Sequence, residues 1–331
     1  MAARPQPSAV EIVDLRSLDP GGLDLLLAEE SEQWRTHLDW DFDTSAELVR
    51  RFVNLKSLNG KALKMGADIV GYSYFVAEGD KGLIGNLFVS QAYASAELEN
   101  RLLGAVVDEL VGHWTAKRVE CQLLLLDFPR RLPQTQTKPA SVFDRKFMAM
   151  PTVGIPLKPH SMPAGIVIEP FTERHQEDAS RLIAESYVGH VDASINDQYR
   201  SIPGARRFLR NIVQFPGCGT FCESSSLVAI DQSTGRLVGL SLASLISADV
   251  GHITQVCVSP RVRGTGVGYE ILRRTIDLLH QAGCRRVSLT VTTNNRGAVA
   301  LYERMGFVET RQFCAMVWEH RPSWFQGRMF R

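Results

Sequence analysis

Between His252 and Leu279 the sequence reads HITQVCVSPRVRGTGVGYEILRRTIDLL, and this stretch limits the fold more than any other. Ile253–Val258 is rich in apolar and β-branched residues and is closed by Pro260, the pattern of a strand. Arg261–Gly268 gathers Gly264, Gly266, Gly268, Arg261 and Arg263 into a turn, after which Ile271, Leu272, Thr275, Ile276 and Leu279 recur at helical spacing. A strand that feeds a helix through glycines suits an anion. No Cβ blocks the backbone, the first N–H groups of the helix are unpaired, and the helix dipole favours negative charge there. The two arginines add formal positive charge. Two other phosphate loops are excluded. A Walker loop ends in Gly-Lys-Ser/Thr, where this chain has Gly268-Tyr269-Glu270. A dinucleotide fingerprint spaces its glycines G-x-G-x-x-G, where this chain has G-x-G-x-G.

The pattern Val258-x-Pro260-x-x-Arg263-Gly-x-Gly266-x-Gly268 resembles the acetyl-CoA loop of the GCN5-related N-acetyltransferase (GNAT) superfamily, Arg/Gln-x-x-Gly-x-Gly/Ala. A shifted match starts at Arg261, but the spacing from Val258 and Pro260 favours Arg263. After a second strand within Arg286–Thr292 comes Asn295-x-x-Ala298-x-x-x-Tyr302-Glu303-x-x-Gly306-Phe307, similar to the closing segment of the same family. The resemblance spans residues 165–320 and implies acetyl-CoA as co-substrate, with no metal. It places the cofactor on the backbone of Val256, Cys257 and Val258, on the loop Arg263, Gly264, Thr265, Gly266, Val267 and Gly268, and on Asn295. It makes Tyr302 the acid for the leaving thiolate. The position of the base glutamate in the histone-acetylating branch falls on His252, which would share a strand face with Thr254 and Val256. The family builds its acceptor site where Tyr187–Tyr199 lies, which puts forward Tyr187, His190 and Asp192 as substrate contacts. Plainer readings stay open: Tyr302 as a core residue, Asn295 as a helix cap and His252 as a strand-end residue.

The first half of the chain shows the same element order. Sliding Phe88-Val89-Ser90 onto Cys257-Val258-Ser259 puts Leu98 on Val267, Leu103 on Leu272, Val107 on Ile276 and Leu110 on Leu279. The loop chemistry does not follow: Ala94 falls on Arg263, Glu97 on Gly266 and Glu99 on Gly268. Carboxylates at those places repel a pyrophosphate, and their Cβ atoms block its approach. The expected organisation is a tail (1–9), a degenerate GNAT-like domain without a CoA loop (10–154), a proline-bearing linker (155–163) and a catalytic domain (164–331). Each domain is an α/β fold with a mixed, mostly antiparallel sheet flanked by helices.

The remaining properties bound the function. A chain of 331 residues with 44% hydrophobic content suits two filled cores. A net charge of +1 gives no case for nucleic acid or an anionic membrane. No apolar run reaches the length of a membrane span, and MAARPQPSAV has no signal-peptide core, so a cytoplasmic protein is expected. The six cysteines are scattered without paired metal-ligand spacing. The expected activity is transfer of acetyl from acetyl-CoA to a primary amine of a small molecule or peptide, by direct attack in a ternary complex. The acceptor is the expected partner, and the chain is expected to be a monomer (an internal pseudo-dimer) or a homodimer. A non-catalytic acyl-CoA-sensing or partner-binding module is the alternative.

Overall fold

The computed structural model describes residues 10–126, 139–154, 157–215 and 217–319. The expected tail (1–9) and most of the polar loop expected at 129–139 lie outside them, as do residues 155 and 156 of the linker. In chain order the elements are β1 Glu11–Asp14, α1 Asp24–Leu38, α2 Asp43–Asn54, β2 Gly60–Met65, β3 Asp68–Glu78, β4 Lys81–Val89, α3 Ala96–Gly112, β5 Arg118–Gln122 and β6 Ser141–Pro151. There follow β7 Ile166–Pro170, α4 Gln176–Ser186, α5 Asp192–Ile195, α6 Ile202–Gln214, β8 Thr220–Phe221, β9 Leu227–Asp231, β10 Arg236–Ser247, β11 Val250–Val258, α7 Val267–Gln281, β12 Arg286–Thr292, α8 Arg296–Arg304 and β13 Val308–Glu319.

The chain divides into two compact units that do not coincide with two linear ranges. The first holds Met1–Arg35, Phe42–Phe143 and Phe313–Arg331, and the second Thr36–Asp41 and Asp144–Gln312. In the first unit the strands run β1-β2-β3-β4-β5-β13, every neighbouring pair antiparallel except β4 with β5. In the second they run β7-β9-β10-β11-β12-β6, again antiparallel except β11 with β12. The two orders match strand for strand, but the sixth strand of each unit comes from the other half of the sequence. Ser141–Pro151 is one long strand, β6, which pairs with β12 from Thr292↔Arg145 to Arg286↔Pro151.

The duplication reaches into irregular detail. The shift that superposes Phe88 on Cys257 also superposes Ile84 on Ile253, the last residue of each parallel ladder. It superposes Gly85 on Thr254, and each is the extra, unpaired residue of a β-bulge. It superposes Gly82 on Gly251, where in each case a Cβ would lie 2.7 Å from a leucine methyl, of Leu110 and of Leu279. A glycine here lets the long helix lie close against its sheet. Between the elements the cores are aliphatic: Leu102, Leu103, Val106, Val107 and Leu110 of α3 are buried on the first sheet, and Ile271, Leu272, Ile276 and Leu279 of α7 on the second.

Beyond the ladder the first unit is filled. Glu30 of α1 is wholly buried and accepts hydrogen bonds from Tyr72 Oη (2.6 Å), Trp34 Nε1 (3.0 Å) and the amide of Asn86, the first residue past the bulge on β4. Burial drives its carboxyl pKa up to about 7, against the pull of these donors.

Candidate active site

In the second unit β11 and β12 are hydrogen-bonded only from Val250↔Arg286 to Ile253↔Leu289, yet β11 continues to Val258 and β12 to Thr292. Past the last pair the strands part. A strand edge without its ladder neighbour offers backbone groups to an extended ligand.

The segment joining α4 to α6 touches both sides of this opening. On the β11 side the buried Gln255 donates from Nε2 to Tyr187 Oη (2.9 Å) and accepts at Oε1 from Tyr199 Oη (3.4 Å). The two tyrosine rings stack with centroids 4.3 Å apart. On the β12 side Thr292 Oγ1 donates to Asp192 Oδ1. Asp192 opens α5, its N–H donates to His190 Nδ1 (3.1 Å), and that ring nitrogen lies 3.8 Å from Asp192 Oδ2. Tyr187, His190 and Asp192, named from the sequence, are thus brought together. Gln255, Tyr199 and Thr292 were not singled out. Polar residues on an otherwise apolar strand end were the available signal.

Tyr302 of α8 is buried on the cluster that holds Ile253, Leu289 and Val291. Its hydroxyl has no hydrogen-bond partner among the described residues. Burial, and next the nearby charge of Asp192, push its pKa well up, so the phenol keeps its proton across the neutral range. Asn295 caps α8, its Oδ1 accepting from Ala298 N (3.4 Å).

His252 lies elsewhere than expected. The bulge at Thr254 inverts the alternation of β11, so Val256 packs with Ile253 in the α7 cluster, while His252 is enclosed by other neighbours. Its ring lies between Phe147 (centroids 5.9 Å, stacked) and Trp40 (5.2 Å), with Nδ1 2.9 Å from Ser288 Oγ. Only 5% of the residue is exposed, and burial first, then the charge of Arg145, lowers its pKa to about 3. These surroundings fit a neutral packing residue rather than a base. Cys257 likewise turns its thiol into the α4–α6 cluster, where burial raises its pKa to about 12, so only its backbone could serve a ligand.

The glycine loop enters α7 without a side-chain cap. Gly264 (φ 78°) and Gly266 (φ 89°) take left-handed conformations that favour glycine. Glu270 N donates to Gly266 O (2.9 Å), which leaves the N–H groups of Val267, Gly268 and Tyr269 without an intrahelical acceptor. The shared chemistry of these groups fits an anionic diphosphate. Arg263 holds the loop in place, its Nη2 donating to Ser186 O at the end of α4 (2.7 Å). Arg261 and Thr265 are exposed, and Val267 is a core residue. Burial would raise the pKa of Glu270, but hydrogen bonds from Arg273 and Arg274 outweigh it and hold the carboxyl near 2.

The model of the acetyltransferase (GNAT) family matches residues 197–307, which carry the opening, the loop and Tyr302. Residues 197–307 form a GNAT-family acetyltransferase domain. The family implies acetyl-CoA as co-substrate and an acetyl acceptor. Among curated relatives of this GNAT protein, a mycothiol acetyltransferase of Clavibacter sepedonicus is 27% identical over 241 residues, covering 70% of this chain and 71% of that protein. A GCN5-related N-acetyltransferase of Sphaerobacter thermophilus shares the fold with TM-score 0.67 at 18% identity, over 94% of this chain and 96% of the other. A tandem GNAT protein from the clavulanic acid biosynthesis pathway shares it with TM-score 0.56 at 13% identity, over 95% and 100%. No helix among the described residues is long and apolar enough to cross a membrane, and no cluster of three or more His, Cys, Asp or Glu is placed to hold a metal there.

Proposed function

We propose that the second unit transfers acetyl from acetyl-CoA to a primary amine of a small molecule by direct attack in a ternary complex. The observation that carries this is the opening between β11 and β12, with an uncapped glycine turn at the head of α7 and the 187–199 segment touching both strands. The loop N–H groups and the β11 backbone around Val256–Val258 would hold the co-substrate, with its thioester at the opening. The same backbone supplies a donor for the charge that builds on the thioester oxygen. Tyr302, a protonated phenol, gives the leaving thiolate its proton. Asp192 replaces His252 as the group that meets the acceptor. Its carboxylate attracts an ammonium and takes its proton, directly or through solvent; Thr292 keeps the carboxylate oriented, and His190 accepts from the Asp192 backbone N–H. A small acceptor agrees with the printed name of the mycothiol acetyltransferase relative.

The first unit keeps the splay and the bulge but serves, in this proposal, without cofactor. Ser95 Oγ accepts from Leu98 N (3.3 Å) and caps α3, Glu97 and Glu99 stand in its first turn, and Glu30 fills the space beyond the ladder. The deciding experiment incubates the full chain with acetyl-CoA and a panel of small primary amines. Acceptor-dependent release of free thiol is expected; its absence for every amine, with CoA still bound, would reduce the site to a binding module.

A further inference from the structure

The stretch between the two halves packs along the start of α7. Tyr269 Oη donates to Lys158 O (2.9 Å), and His160 N donates to Glu270 Oε2 (3.1 Å). Met162 packs on the cluster of Val267 and Ile271, and Leu157 on the cluster of Leu272. His160 is therefore held by its backbone from both sides. Its exposed imidazole meets Tyr269 edge-on (centroids 5.9 Å), and neither ring nitrogen has a hydrogen-bond partner among the described residues. A Cβ built on Gly266 would lie 2.0 Å from His160 Cδ2 and 2.4 Å from Nε2. The ring thus lies against the residue at which the unpaired N–H groups of α7 begin. The carboxylate facing it, Glu270, is already engaged by Arg273 and Arg274. The other groups near it are the Tyr269 ring and the Lys158 backbone.

We propose that His160 is a phosphate ligand contributed by the linker, its imidazole N–H donating to the diphosphate of CoA on the Gly264–Gly268 loop. The inference rests on the reading of that loop as the CoA site. In this arrangement Gly266 lacks a side chain for two reasons, the approach of the phosphate and the approach of His160.

Titration calorimetry of the full chain with CoA and with 3′-dephospho-CoA tests it. A hydrogen bond to a charged group is worth enough that His160→Ala should weaken both ligands by about tenfold or more, with His160→Gln, which keeps an N–H donor, in between. Unchanged or tighter binding by His160→Ala overturns the proposal; tighter binding would make the linker a cover that CoA displaces. A loss confined to CoA also overturns it, because the ring would then read the 3′-phosphate. Gly266→Glu separates the two levels. If it leaves CoA affinity unchanged, the loop assignment fails and the inference with it. If it abolishes binding while His160→Ala does nothing, only the role of His160 fails.

Discussion

At the scale of single residues, burial sorts the groups that the motif alone left open. Tyr302 and His252 are both buried, but Tyr302 packs on Ile253, Leu289 and Val291 where the β11–β12 ladder ends, whereas His252 sits inside the paired ladder between Phe147 and Trp40. Tyr302→Phe keeps the ring packing and removes only the hydroxyl. It is expected to lower kcat by about 10²–10⁴-fold with CoA affinity unchanged, read by steady-state kinetics alongside calorimetry. An unchanged kcat would make Tyr302 a packing residue, and a fall in affinity of the same size would make its hydroxyl a binding contact rather than an acid. Two buried groups also bind stability to pH, with opposite signs. His252 has its folded pKa lowered to about 3 from an ordinary 6.5, so its contribution is complete above pH 6.5 and is lost as pH falls towards 3. Glu30 is raised from 4.5 to about 7, so the native state holds its proton longer, and stability falls as pH rises from 4.5 to 7. That shift corresponds to about 3 kcal/mol. Urea unfolding of Glu30→Gln at pH 5 and pH 7.5 should show the acid-favoured difference shrink by about 2 kcal/mol, the part of the shift that falls between these pH values; an unchanged difference would mean the carboxylate is ionised throughout.

At the scale of elements, the strand–loop–helix of the second unit and its counterpart in the first diverge at the turn into the helix: α7 is entered through Gly266 without a side-chain cap, and α3 is capped by Ser95. The glycines of the loop are not equivalent. Gly268 is helical, and a Cβ there would make ordinary contact with Val258 Cγ1 at 3.6 Å, so Gly268→Ala should fold and bind CoA as the parent does. Gly264 meets nothing within 4 Å but sits at φ 78°, so Gly264→Ala should cost about 1 kcal/mol by backbone strain alone. Thermal unfolding of the two variants distinguishes strain from crowding; equal Tm values would contradict this account. The bulge at Thr254 is the other element-scale feature. One extra residue moves Gln255, not Thr254, onto the face of Tyr187 and Tyr199, which is why alternation read from His252 onward predicts the wrong neighbours.

At the scale of the molecule, the two units share a strand order, and the proposed function gives them different duties. Calorimetry is expected to give one CoA per chain, because α3 is capped by Ser95 and begins with Glu97 and Glu99; two equivalent sites would refute the division. The exchange of sixth strands makes a second prediction. A fragment 164–331, the linear catalytic domain, lacks β6, which completes the second unit, and retains the end of β13, which belongs to the first. It should aggregate or self-associate through the bare edge of β12, whereas the full chain should not; a monomeric, folded fragment in size-exclusion chromatography and circular dichroism would contradict this. The local chemistry was legible in the sequence because it is local: glycine at positive φ, the apolar period of α7, the acidic replacements in α3 and the Asn295–Tyr302 helix all act within a few residues. What tertiary structure alone decided depends on partners far apart in the chain. Strand pairing leaves no mark in a strand's own alternation, so nothing in Ser141–Pro151 announced that it pairs with β12. A histidine at a strand end is base or filler according to what closes over it, and here Trp40 and Phe147, each more than a hundred positions away, close over His252.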